Sequence, residues 1–218
     1  MEIKLLQASD YETLMHAIRT SHDSKQFQDT YLNELGLNDR KLLEKIIQLQ
    51  HDSVLEHLVY SFYIAGISRA LLQQLARHRH ISMTVQSTRY TLRKQIKAAF
   101  ASFSEPKTIV TFLCVLPPDL LTDENTIRLL YETFSAIQNS SEPNDTIKCI
   151  LPECLKTQVV LTVNARELAH IINLRSSKHA YWEFQRLSKN LFNMVFKIHP
   201  QLWQMLAERY DWRWFDAR

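Results

Sequence analysis

Five of the seven residues from Thr157 to Val163 are β-branched, and Asn164 follows with no spacer. Branched side chains suit a pleated strand and crowd a helix. An asparagine in extended backbone offers its side-chain oxygen to the free amides that open a helix. The run therefore predicts a central strand that passes directly into a helix ending at about Leu174. A strand this apolar has to be covered by other elements, which requires a sheet with helices packed on it.

The rest of the chain supplies those partners. Glu2 to Ala8 alternates as a short strand. Ser9 and Glu12 form a capping-box pattern for a first helix, whose face is Tyr11, Leu14, Met15 and Ile18. Residues 20–33 are polar and without a period, as in a flexible loop over a site. Asn38 caps a second helix that buries Leu42, Leu43, Ile46, Ile47 and Leu49. Leu58 to Ala65 reads as a strand, and Gly66 as the turn into a helix ending at Arg77. Thr108 to Leu116 reads as another strand, stopped by Pro117 and Pro118. Thr122 to Ile137 is helical, with Ile127, Leu130, Tyr131, Phe134 and Ile137 on one face. Residues 139–144 break it, and a short helix over Thr146 to Ile150 resumes around Pro152. A long helix from about His179 to Lys197 buries Phe184, Leu187, Leu191, Met194 and Ile198, and Pro200 ends it. The aromatic tail from Trp203 to Phe215 has to pack on an apolar surface, within the subunit or against another. With no linker or repeat in view, residues 1–218 read as one α+β domain, a mostly antiparallel central sheet flanked by helices.

Charge and cysteines narrow the function. A formal charge of +3 on 218 residues is too small for a polycation, so basic residues act through local clusters, which favours a small anion over nucleic acid. Cys114, Cys149 and Cys154 are odd in number and form no Cys-x-x-Cys pair, so they read as free thiols. The first residues lack the apolar length of a signal peptide or a membrane span. A cytoplasmic setting is the default expectation.

The densest cluster runs from Gln74 to Tyr90. Ile67, Leu71 and Leu75 keep helical spacing up to it, so Arg77, His78 and Arg79 stand at or beyond a helix end. The residues after them lose the helical period and read as a loop carrying Ser87 and Arg89. A basic cluster at a helix end is commonly a solvated cap. Forked guanidinium donors with a short hydroxyl are also a good cradle for phosphate.

The full string decides between these readings. Arg77-His78-Arg79, seven residues, then Ser87 resembles the RHR-x7-S signature of the flavin-dependent thymidylate synthases, the ThyX family. Three flanking blocks are similar to that family's in the same order: His51 to His57 to H-x-[ST]-x-x-E-H, Thr162 to Arg166 with Asn173-Leu174-Arg175 to T-V-N-A-R and N-L-R, and His179 to Glu183 to H-A-x-W-E. The resemblance implies an enzyme that binds FAD and takes reducing equivalents from NADPH. It would transfer the methylene of 5,10-methylenetetrahydrofolate to C5 of dUMP and complete the methyl group with flavin hydride. The family is homotetrameric, with active sites shared between chains.

Residue roles follow from the same resemblance. Ser53, Arg77, His78, Arg79, Asn164, Arg166 and His170 would contact flavin, and His51 would line the site beside Ser53. Gln74, Arg77, Gln86, Ser87, Thr88 and Arg89 would contact dUMP. Arg175 would be the catalytic residue, reaching the uracil ring and stabilising negative charge there. Ser87 has arginines nearby but no base, so it reads as a hydrogen-bond donor to dUMP and not as a nucleophile. Glu56 and His57 read as structural.

Two positions depart from the family pattern. Thr84-Val85 stands where many members have Asn-Glu, and Gln158 where many have an arginine, which removes one cation from the nucleotide phosphate region. These departures keep a non-catalytic nucleotide-binding module in view as an alternative. A metallohydrolase built on His78, His80, His51 and His57 is a second alternative; the flanking arginines would repel a dication.

Overall fold

The computed structural model describes residues 1–22, 35–212 and 214. In chain order the elements are β1 (Glu2–Ala8), α1 (Tyr11–His22), α2 (Leu37–Gln48), a 3-10 segment (Asp52–His57), β2 (Val59–Ser68), α3 (Arg69–Leu75), β3 (Ile81–Val85) and α4 (Thr88–Ser102). They continue with α5 (Pro106–Leu113), α6 (Pro118–Thr122), α7 (Glu124–Asn139), α8 (Asn144–Ile147), a 3-10 turn (Lys148–Ile150), β4 (Lys156–Asn164), α9 (Ala165–Arg175), α10 (Trp182–Ile198) and α11 (Pro200–Arg209). The strands form one antiparallel sheet in the order β1-β2-β4-β3. The β-branched run is β4, and it lies inside the sheet as its composition predicts.

Backbone bonds fix the register of β2 on β4. Ala165 N–H donates to Leu58 C=O at 2.7 Å, and Arg69 N–H donates to Leu155 C=O at 3.1 Å. In β2 the alternation is broken by Gly66, whose φ of +67° is in the left-handed region where a Cβ is strained. Gly66 is thus an irregularity inside a strand, and the turn expected there comes two residues later. Ser68 caps α3 by accepting from Leu71 N–H at 2.9 Å.

The chain divides into two compact units. The first holds Met1–Glu2, Ile64–Arg77 and Thr84–Val159. Its core is Leu92, Ile96 and Ala99 of α4, Ile109, Val110 and Leu113 of α5, and Ile127, Leu130, Phe134 and Ile137 of α7. The second holds Ile3–Tyr63, His78–Met83 and Val160–Arg218. At its centre Trp203 Nε1–H donates to Tyr60 Oη at 2.9 Å, which leaves that hydroxyl to donate to His199 Nδ1 at 2.8 Å. All three side chains are buried.

Several local expectations are corrected. Residues 108–113 are helical in α5 and not a strand: Pro106 opens the helix, and Ile109, Val110 and Leu113 bury on a helical spacing. Residues 81–85 form β3, with Ile81, Met83 and Val85 half-buried and Ser82 and Thr84 exposed. The expected loop is a strand followed at once by α4. Asp10 caps α1 through Thr13 N–H at 3.0 Å, while the Ser9 hydroxyl accepts from Val59 N–H at 3.1 Å. Gly36 occupies the cap of α2 in place of Asn38, and Leu49 is exposed. The aperiodic stretch over 20–33 is helical through His22, and its remainder falls outside the described residues. The helix expected from His179 begins at Trp182, and Ile198 at its end is exposed.

Candidate active site

The second unit carries a polar cleft of about 510 Å³, lined by Asp52, Glu56, His80, Asn164, Arg166, Glu167, His170 and Tyr210. Its origin is the passage from β4 into α9. Asn164 caps α9 by accepting from Glu167 N–H at 2.9 Å, which holds the strand end and the first turn in one geometry. Arg166, on that first turn, pairs with Glu56. Asp52 is gripped by both terminal nitrogens of Arg209, at 2.6 and 2.7 Å. Glu167 pairs with His78. Each carboxylate in the cleft therefore has a cation or imidazole partner. The amides at the start of α9, with Arg166, His80 and His170, leave the cleft able to hold an anionic, hydrogen-bonding group. That donor set fits the phosphates of a flavin dinucleotide.

One wall of this site is built around His78. The ring is buried, Nδ1 lies 3.1 Å from Glu167 Oε1, and Arg175 Nε donates to Nε2 at 3.1 Å. A guanidinium nitrogen carries its proton throughout the accessible pH range. His78 Nε2 must therefore accept, so the single ring proton sits on Nδ1 and is donated to Glu167. Burial holds the His78 pKa below the ordinary 6.5, assisted by the charge of Arg175 and opposed by the Glu167 hydrogen bond. The ring is neutral at neutral pH. Phe184, on α10, packs edge-on to His78 and lies under the Arg175 guanidinium, 5.0 Å from its centroid. Arg175 Nε is thus occupied, and among the described residues its two terminal nitrogens have no hydrogen-bond partner.

His78, Glu167 and His170 also bring three donor atoms within 4.8 Å of one another, a spacing open to a metal ion. This is not the set expected from His51, His57, His78 and His80. Both His78 nitrogens are engaged by Glu167 and Arg175, and a dication there would face the guanidinium.

The predicted residues fall into two groups. His51, Ser53, His78, Arg79, Asn164, Arg166, His170 and Arg175 lie in the second unit; of these, Asn164, Arg166 and His170 line the cleft. Within the Arg-His-Arg triplet only His78 is buried, while Arg77 and Arg79 are exposed. Gln74, Arg77, Gln86, Ser87, Thr88 and Arg89 lie in the first unit. Ser87 stands at the start of α4 without spending its hydroxyl on the cap. Arg89 Nε reaches Asp145 at 2.9 Å. A second cleft of about 470 Å³ in that unit includes Gln86, Gln158, Lys94 and Lys156. Gln86 N–H donates to Gln158 C=O at 2.9 Å. The lining of the cleft is otherwise mostly apolar, and the Lys156 ammonium donates to Thr111 C=O at 2.7 Å.

Sequence reasoning missed Glu167, and Asp52 and Tyr210 as lining residues. The Asn164-x-x-Glu167 spacing announces a capping box. The structure gives Asn164 its half of that motif, but the Glu167 carboxylate turns to His78, 89 residues away in sequence.

Residues 4–201 match the family model described as thymidylate synthase complementing protein. The chain is 39% identical over 209 residues to a flavin-dependent thymidylate synthase of Campylobacter jejuni, covering 95% of this chain and 96% of that protein. It is 38% identical to the protein of the same name from Wolinella succinogenes, covering 95% of this chain and 100% of the relative. Among solved structures, ThyX of Helicobacter pylori with FAD and dUMP superposes with a TM-score of 0.79 at 30% identity, covering 94% of this chain and 99% of that one.

Proposed function

This chain belongs to the flavin-dependent thymidylate synthase family, and on that premise we propose that it makes dTMP from dUMP, with 5,10-methylenetetrahydrofolate as carbon donor. The overall reaction consumes NADPH and a proton and releases tetrahydrofolate and NADP. FAD supplies the reducing equivalents that complete the methyl group. The protein's own work is to hold the ligands together and polarise the pyrimidine.

The observation that carries this reading is the 3.1 Å bond from Arg175 to His78. It joins the Arg-His-Arg block to the Asn-Leu-Arg block across 97 residues of sequence. Arg175 is the catalytic residue in this account. A permanent cation beside uracil stabilises the negative charge that makes C5 nucleophilic. Asn164, Arg166, His170 and His78 hold the flavin, with Ser53, Arg77 and Arg79 reaching it and His51 beside them. Gln74, Arg77, Gln86, Ser87, Thr88 and Arg89 hold dUMP. Lys94 and Lys156 add charge near Gln158, where the family often carries an arginine.

The same reading takes residues 1–218 as one catalytic domain that works as a homotetramer with shared sites in the cytoplasm. Its ligands are small molecules, with no nucleic acid or membrane partner. Exposed Tyr90, Phe112, Leu129 and Leu174 offer apolar area for contacts between chains. Among the described residues no helix is long and apolar enough to cross a membrane.

The test is the visible spectrum of the purified protein before and after anaerobic NADPH with dUMP. A flavin spectrum that bleaches supports the reading; a protein that takes up no added FAD overturns it.

A further inference from the structure

We propose that Glu167 is a positioning residue for the thymidylate synthase reaction, acting on Arg175 through the His78 ring. Glu167 Oε1, His78 Nδ1, His78 Nε2 and Arg175 Nε form one line of two 3.1 Å hydrogen bonds. Two of these three side chains, His78 and Glu167, are buried, so water is a poor substitute for either partner.

The line works in only one protonation arrangement. With the proton on Nδ1, both bonds are made. With the proton on Nε2, an N–H meets the Nε–H of Arg175, and Nδ1 turns a lone pair toward the Glu167 carboxylate. Both contacts are then lost. A doubly protonated ring keeps the Glu167 bond and loses the Arg175 bond. Glu167 and Arg175 therefore favour the same tautomer, and without the Glu167 acceptor the buried Nδ1–H is left unpaired. By occupying Nε, the His78 ring that Glu167 holds fixes the plane of the guanidinium and the directions of its two terminal nitrogens. The same logic governs histidines whose far nitrogen is set by a carboxylate.

The surroundings leave few other ways to hold the ring. Glu167, His170 and Arg175 all project from α9 and are the titratable groups that act on His78. From α10 the ring meets Phe184. The backbone of Glu167 is itself tied to Asn164 by the cap. A carboxylate in the first turn of a helix already has a favourable place beside the dipole. Its burial against an imidazole is not needed for capping and points to a second role.

This inference rests on the proposed activity, and its test reads signals that do not need turnover. In wild type, ¹⁵N NMR of the histidine rings should show one buried histidine protonated at Nδ1 alone. In Glu167→Leu that signature should give way to a tautomer mixture. Assays of dTMP formation with saturating FAD should then show kcat/KM for dUMP reduced by about ten- to a hundredfold, the loss of one charge-assisted hydrogen bond. Glu167→Gln, nearly isosteric, keeps an acceptor for Nδ1 but loses the charge. It should move the acid limb of the kcat–pH profile to lower pH. Glu167→Asp should recover part of the loss. If Glu167→Leu does not fold, the glutamine variant decides. A Glu167→Gln enzyme with an unmoved acid limb overturns the proposal. Absence of dTMP formation in wild type, with the Nδ1 signature present, overturns the activity and leaves the hydrogen-bonded line standing.

Discussion

Arg175 is set by three neighbours and free toward a fourth. His78 holds Nε, Phe184 lies under the guanidinium, and the end of α9 favours its charge. Arg175→Ala should abolish dTMP formation while flavin stays bound; near-normal turnover in that variant would remove Arg175 from the catalytic role. Ser87 presents a different case. Its hydroxyl is exposed, spent on no cap, and has no base assigned to it. Ser87→Ala should weaken dUMP binding and slow turnover about tenfold, as loss of one hydrogen bond does. Zero activity with intact dUMP binding would instead make Ser87 a nucleophile. As candidates both stand out in the sequence because they lie in motif blocks. Glu167 does not, because a glutamate in a first turn looks the same whether it faces solvent or a buried ring.

At the scale of elements, β4 and α9 do most to build the site, and the sequence announces both. The β-branched run and the Asn164 cap give the strand, the helix and their junction. Asn164→Ala should cost about 1 kcal/mol of stability, the usual worth of a cap, and should also weaken FAD binding. A variant with wild-type thermal midpoint and flavin affinity would show the cap to be dispensable. In α5, Thr108 to Thr111 carry the same β-branched signal and form a helix instead. Pro106 supplies a helix start, and the apolar positions 109, 110 and 113 face α4 and α7 in the first unit's core. Tertiary burial overrides local propensity there. In β3 a strand stands where the sequence reads as a loop. Its alternation over Ile81 to Val85 was present in the sequence but was obscured by the polar residues around it.

For the whole molecule, acid stability should reflect the buried histidines. Burial holds His199 down to about 4 from its ordinary 6.5, against the opposing pull of Asp10 and the Ser9 backbone. The folded state thus refuses a proton that the unfolded state accepts. Stability from this group is complete above pH 6.5 and is lost as pH falls toward 4, by roughly 3 kcal/mol in full. Urea midpoints measured from pH 7.5 to 4 should fall across that window in wild type and fall less in His199→Gln. Equal slopes in the two proteins would contradict the assignment. None of this pH dependence could be read from the sequence, where His199 is only the residue before a proline. Burial keeps it neutral, and its Nδ1 is met by the Tyr60 hydroxyl, which in turn accepts from Trp203.

Turnover decides whether this chain is a working flavin-dependent thymidylate synthase. The FAD-loaded protein is incubated with dUMP, 5,10-methylenetetrahydrofolate and NADPH, and dTMP is measured by chromatography. Product dTMP should form only when all three small molecules and the flavin are present, together with tetrahydrofolate as co-product. A protein that holds FAD and dUMP yet forms no dTMP would contradict this reading and leave a nucleotide-binding module in its place.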